Sequence, residues 1–189
     1  MNFNSKRSRG GVFLESDVKI NISGLIDSSA GDGPGIRSIL FFQGCSVGCP
    51  GCHNAGTHPT DGGVMMDLDE VMNKIEDVCF NKKITISGGE PMEQLEGLFQ
   101  LLERLRAEGY EICLYTSYTL KRIPFEILNY LRYLKSGPFI ETLKQDSGYY
   151  GSTNQRFFEI SSDGASVSLR EFNKLDGEIH VFVGGVQDE

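Results

Sequence analysis

Between residues 36 and 135 two hydrophobic periods alternate along the chain, and this alternation limits the available folds more than any other feature. Residues 36–43 form a β-branched and aromatic run, with Ile36, Ile39, Leu40, Phe41 and Phe42 bounded by Gly35 and Gly44, which reads as a buried strand. Over residues 67–79, Leu68, Val71, Met72, Ile75, Val78 and Cys79 recur at the spacing of one helix face, and Asp67 with Glu70 carries a capping-box signature. A second strand follows at 83–87. Leu95, Leu98, Phe99, Leu102 and Leu105 mark a second amphipathic helix, with Pro91 suited to its first turn and Gly109 to the position after its end. A third strand at 111–116, a short helix at 124–131 and a fourth strand at 133–135 complete a β-α-β-α-β-α-β order. That order predicts an α/β fold with right-handed crossovers and a mostly parallel sheet. A complete eight-unit (β/α) barrel takes about 250 residues. With 189 residues the chain is expected to build a partial (β/α) barrel.

Residues 20–26 alternate weakly and predict a short edge strand, and 179–183 predict a final one. Residues 1–16, polar and basic, are expected to form a loosely held arm ahead of a single domain spanning 17–189. A formal net charge of −8 and a pI near 4.9 argue against nucleic acid or an anionic membrane as the main partner. The longest wholly apolar stretch in the first third is Ile39-Leu40-Phe41-Phe42, far short of the roughly 18 residues of a membrane helix. Lys6, Arg7 and Arg9 lead into no apolar secretory segment, so a cytoplasmic location is expected.

Cysteine usage narrows the chemistry. Of five cysteines, Cys45, Cys49 and Cys52 fall within eight residues, whereas Cys79 and Cys113 stand singly in apolar patterns and read as core. The run Cys45-Ser46-Val47-Gly48-Cys49-Pro50-Gly51-Cys52 follows directly on the first core strand, in a segment whose glycine and proline predict a loop. Three thiolates can hold three irons of a cubane and leave the fourth iron open. The spacing also allows a structural zinc with His53 or His58 as fourth ligand, which would make the chain a zinc-stabilised binding module.

Two weaker motifs follow other strands. Ser87-Gly88-Gly89-Glu90-Pro91 lets a ligand approach the backbone near a helix start, and Tyr115-Thr116-Ser117-Tyr118 offers hydroxyls. Each alone is an ordinary turn. Parallel α/β folds gather their sites beyond the carboxyl ends of the strands, so the three motifs predict one site. Gly31-Asp32-Gly33-Pro34-Gly35 lacks the third glycine of a dinucleotide fingerprint and precedes its strand, which rejects a Rossmann site. With three histidines and no hydrolase or phosphate-loop motif, the chemistry must come mainly from a cofactor.

These residues resemble the radical S-adenosylmethionine superfamily. Asp32-Gly33-Pro34-Gly35-Ile36-Arg37, followed by Phe41-Phe42-Gln43-Gly44-Cys45, is similar to its activases of glycyl radical enzymes. Cys49-Pro50-Gly51-Cys52-His53-Asn54 and Gly151-Ser152-Thr153-Asn154-Gln155-Arg156 resemble the activating proteins of anaerobic, class III, ribonucleotide reductase. The resemblance implies a partial barrel carrying a 4Fe-4S cluster on Cys45, Cys49 and Cys52, with S-adenosylmethionine on the open iron. It implies that Gly51, Cys52, His53, Gly88, Gly89 and Glu90, and more loosely Thr116 and Ser117, line that cofactor, and that Asn154, Gln155 and Arg156 meet the partner. The implied reaction cleaves the sulfonium to methionine and a 5'-deoxyadenosyl radical, which takes a hydrogen atom from a glycine of the reductase. Reduced flavodoxin or ferredoxin is the implied electron donor. His53, Ser136-Gly137 and Tyr150 stand where such activating proteins often carry an aromatic residue, Asp-Gly and arginine. An activase of another glycyl radical enzyme, of the pyruvate formate-lyase type, is the neighbouring alternative.

Overall fold

The structure is a computed structural model that describes residues 18–145, 148–163, 166–172 and 178–183. The expected arm at 1–16 lies outside the described residues. The strands are β1 (Lys19–Ser29), β2 (Arg37–Phe42), β3 (Val64–Asp67), β4 (Lys83–Gly88), β5 (Glu111–Thr116), β6 (Tyr133–Ser136), β7 (Arg156–Ser162), β8 (Val167–Phe172) and β9 (Glu178–Val183). The helices are α1 (Leu68–Val78), α2 (Leu95–Ala107) and the single turn α3 (Phe125–Leu128). Among the described residues the strands form one sheet in the order β3-β1-β2-β4-β5-β6-β7-β8-β9.

The centre of that sheet is parallel, β2 to β4, β4 to β5 and β5 to β6. The other five pairings are antiparallel. The expectation of a mostly parallel sheet is therefore corrected: the molecule is mixed α/β, with antiparallel pairing in the majority. Parallel neighbours need a crossover, and only the segments through α1, α2 and α3 supply one. The links from β1 to β2 and from β7 to β8 are short, so those strands return antiparallel.

The four core strands predicted at 36–43, 83–87, 111–116 and 133–135, the final strand predicted at 179–183 and both longer helices stand where the sequence put them. Asp67 caps α1, accepting from Glu70 N at 2.8 Å while Glu70 accepts from Asp67 N at 3.0 Å. Glu90 caps a 3-10 turn over Pro91–Gln94 that leads into α2, and Gly109 closes the helix at φ +82°. The strand expected at 20–26 is eleven residues long and not at the edge, because β3 pairs outside it. β3, β7 and β8 were not foreseen. In β7, Phe157 and Phe158 are both fully buried on opposite faces, which erases the alternation that would have marked the strand.

Side chains alternate across the central strands. Leu40, Phe42, Ile84, Ile86, Ile112, Leu114 and Leu134 pack with Val71, Ile75, Leu98, Leu101 and Leu105 of the helices. Their neighbours Thr85, Ser87, Cys113, Tyr115, Tyr133 and Lys135 turn to the opposite face, where Cys113, Tyr115 and Phe157 form a second, smaller cluster. At the amino ends of the parallel strands the wholly buried Arg37 donates to Pro34 O (2.7 Å), Glu111 O (3.1 Å) and Glu111 Oε1 (3.2 Å). Gly33, at φ +123°, lies flat over this guanidinium stem, where a Cβ would stand 3.0 Å from Arg37 Cδ. The Asp32-to-Arg37 run is thus a plug at the amino ends of the strands.

Candidate functional site

The carboxyl ends of the same strands open into a cleft. The cysteine loop leaves β2 through Gly44, whose φ of +97° turns the chain up and over the sheet. Gly44 N and Cys45 N donate to Thr57 O (2.8 Å) and His58 O (3.0 Å), so the loop is pinned to the returning chain behind it. On its outer side Ser46 N and Ser46 Oγ donate to the Glu93 carboxylate at 3.0 and 2.5 Å, tying the loop to the turn ahead of α2.

Cys45, Cys49 and Cys52 are all free, all half-buried and all on the cleft wall, whereas Cys79 and Cys113 are buried, as expected of core thiols. Burial pushes the Cys45 thiol up, while N–H groups of Gly48 and Val47 bonded to it pull the other way. Cys52 Sγ accepts from Asn54 N at 3.4 Å. Backbone N–H groups aimed at cysteine sulfur are what a thiolate-ligated iron–sulfur cluster requires of its surroundings, so the donor set fits such a cluster. Among the described residues no three His, Cys, Asp or Glu side chains, the three cysteines included, stand close enough to share one metal ion. His58 lines the cleft, and His53 is exposed at its mouth, its ring 5.4 Å from that of Phe139.

Gly88, Gly89 and Glu90 form the next wall. Gly88 has φ +102°, and a Cβ there would collide with the Phe42 backbone; one on Gly89 would collide with Gly44 O. Glycine is required because two backbones meet: Gly89 N donates to Phe42 O (2.8 Å) and Glu90 N to Gly44 O (2.9 Å). The Glu90 side chain is 1% exposed and accepts from Met92 N (3.0 Å), Thr116 Oγ1 (2.6 Å), Ser117 N (2.8 Å) and Ser117 Oγ. Four donors take up the roughly four lone-pair positions of a carboxylate. Glu90 is therefore a bracket between the β4 and β5 loops, and it holds Thr116 and Ser117 on the cleft wall.

Nine of the residues anticipated from the sequence line this one cleft: Cys45, Cys49, Cys52, His53, Gly88, Gly89, Glu90, Thr116 and Ser117. Gly51 does not; it has φ +67° and lies beneath Glu141, whose Oε1 would be 2.6 Å from a Cβ. Of the three residues expected to meet a partner, Gln155 lines the cleft, bonding Gly137 O (2.9 Å) and accepting from Gly151 N (2.9 Å). Asn154 donates to Pro138 O (2.8 Å), and Arg156 pairs with Glu171 across β7 and β8 at 2.6 Å. Asn154 and Gln155 join the 137–140 and 151–155 segments at the far wall, whereas the Arg156 pair ties β7 to β8. Sequence reasoning missed Lys135, Phe139 and Gly151 on the wall. For Lys135 the signal was available, since it stands near the carboxyl end of the fourth predicted strand. Burial lowers its ammonium to about 8.

A family model described as a 4Fe-4S single cluster domain matches residues 31–158. The anaerobic ribonucleoside-triphosphate reductase-activating protein of Escherichia coli K12 is 32% identical over 136 residues, which cover 66% of this chain and 88% of that protein. The protein of the same name from Salmonella typhi is 30% identical over the same length and shares. A pyruvate formate-lyase-activating enzyme of Staphylococcus epidermidis is 39% identical over 92 residues, 46% of this chain and 37% of that enzyme.

Proposed function

Because the chain belongs to the 4Fe-4S single cluster family, and with its relatives to the radical S-adenosylmethionine activases of glycyl radical enzymes, we propose that anaerobic ribonucleotide reductase is the enzyme it activates. It is an oxidoreductase that uses a 4Fe-4S cluster and S-adenosylmethionine. When bound, these supply one electron to the sulfonium and thereby a carbon radical able to take a hydrogen atom from a glycine.

In this reading Cys45, Cys49 and Cys52 hold the cluster. Gly88 and Gly89 let the cofactor reach the backbone, while Thr116 and Ser117, held by Glu90, present their hydroxyl side of the cleft to it. His53 and Phe139 flank the mouth. Asn154, Gln155 and Arg156 act on the partner indirectly, by shaping the wall that the partner's loop must pass. Residues 17–189 work as one domain, and the parallel strands β2, β4, β5 and β6 with their helices are the part of a (β/α) barrel that the chemistry needs. Reduced flavodoxin or ferredoxin is the donor and the cytoplasm the location; among the described residues no helix is long and apolar enough to cross a membrane.

The observation that carries the reading is the convergence of three free, half-buried thiols with the Gly88-to-Glu90 turn and the Thr116-Ser117 pair on one cleft. Coverage of the relatives favours the reductase over pyruvate formate-lyase as target, 88% against 37% of the relative's length. Anaerobic reconstitution tests both levels. About four irons per chain, dithionite-dependent release of 5'-deoxyadenosine and a glycyl radical signal on the reductase are expected. A signal on pyruvate formate-lyase alone moves the target, and a fully loaded protein that leaves S-adenosylmethionine intact overturns the reading.

A further inference from the structure

The cysteine loop is gripped from outside the cleft by a carboxylate that the cleft wall does not use. Glu93 lies in the 3-10 turn over Pro91–Gln94, and its carboxylate accepts from Ser46 N at 3.0 and 3.2 Å and from Ser46 Oγ at 2.5 Å. Its backbone is fixed as well, since Glu93 N donates to Glu90 O at 3.0 Å and Glu90 braces the β4 and β5 loops. Glu93 is exposed, and among the described residues no Lys, Arg or His pairs with it. An exposed glutamate loses side-chain entropy when it is held in one place. Here the donors on Ser46 hold it, and Ser46 follows directly on Cys45.

Two of the settings that fix an iron–sulfur potential are the charge around the cluster and the hydrogen bonds to its sulfurs. Val47 N and Gly48 N are aimed at the Cys45 sulfur, whereas Ser46 N, which comes before them in the chain, is taken up by Glu93 and so withheld from it. The Glu93 charge is felt at the same sulfur, where it adds to burial in disfavouring the negative form. A withheld donor and a fixed anion act in one direction: both oppose the arrival of a further electron.

We propose that Glu93, locked on Ser46, is a positioning residue that lowers the reduction potential of the cluster carried by Cys45, Cys49 and Cys52. This rests on the activase reading above and adds to it a residue that strengthens the electron given to the sulfonium. Glu93 itself undergoes no covalent or redox change. The competing role is a tether that only keeps the loop in place.

The test compares E93Q and E93A with the parent protein, each reconstituted anaerobically without S-adenosylmethionine and poised with dithionite and redox mediators at one potential. Iron per chain and the reduced cluster, counted by electron paramagnetic resonance, are the readouts. E93Q keeps the side-chain length and an oxygen that can accept from Ser46, and removes only the charge. It is expected to hold the parent's iron and to raise the ratio of reduced to oxidised cluster about fivefold. Raising the salt from about 0.05 to about 0.5 M should narrow that difference, because the carboxylate is exposed. E93A also frees Ser46 N and should raise the ratio, per cluster bound, at least as far. An E93Q ratio equal to the parent's, with or without loss of iron in E93A, makes Glu93 a tether and overturns the proposal, as does a lowered ratio in either variant. A parent that loads its cluster yet releases no 5'-deoxyadenosine when S-adenosylmethionine is added removes the activase reading instead, and leaves the comparison of potentials standing.

Discussion

At the amino ends of β2, β4, β5 and β6, Arg37 turns its guanidinium inward, bonds Pro34 O and both the backbone and side chain of Glu111, and is covered by Gly33. At the carboxyl ends of the same strands, sulfur, hydroxyl and ammonium groups line a cleft. Both ends are rich in polar groups. One closes on itself because a single long cation reaches several carbonyls at once; the other stays open because Glu90, the only buried carboxylate there among the described residues, is saturated by the turn it braces. Polarity in a fold of this kind therefore marks a site only where the side chains face open space instead of the chain's own carbonyls.

The comparison can be broken in three ways. The largest effect is expected at the open end, where C45A, C49A or C52A should each lower iron from about four per chain to below one and reduce 5'-deoxyadenosine release about a thousandfold. The urea midpoint of the metal-free chain should not move, because these thiols are half-buried on a loop. A matching drop in that midpoint would make the loop part of the core. Next comes the sealed end: R37M should cost about 3 kcal/mol in urea unfolding, since it strips Glu111 and Pro34 of a buried charged donor. Iron loading of the chains that remain folded should persist; its loss would show that the plug also shapes the cleft. The smallest effect is a contrast in rate. With iodoacetamide at pH 8, the metal-free chain should react at Cys45, Cys49 and Cys52 about a hundredfold faster than at Cys113, whose thiol burial pushes up to about 12. Mass spectrometry finding Cys113 modified at an equal rate would mean that the seal over the strands' amino ends opens.

Much of the site was readable before any coordinates. Local chemistry writes itself into short windows: three cysteines in a glycine-rich loop, two glycines between a strand and a helix, a capping Asp67 with Glu70. Residues of that kind are constrained by neighbours within a few positions, and ten of the anticipated residues line the cleft. The antiparallel flanks were not readable, because pairing direction depends on the length and path of connections and leaves no residue-level mark in β7, where Phe157 and Phe158 hide the period. Asn154 and Gln155 show the same limit, since their amides serve Pro138 and Gly137, residues some 16 and 18 positions away.

By itself, then, the amino-acid order determined the central strands, the helix ends and the thiol loop, all set by interactions that act over a turn or a strand, while the kind of cofactor came from the family its motifs resemble. Only the tertiary structure decided that Arg37 seals one end, that Glu90 is a brace, and that Tyr115 and Lys135 meet across two strands. Those assignments depend on which acceptors lie within about 3 Å of a donor after the chain has folded, and distances through space between distant residues are not a property of sequence position.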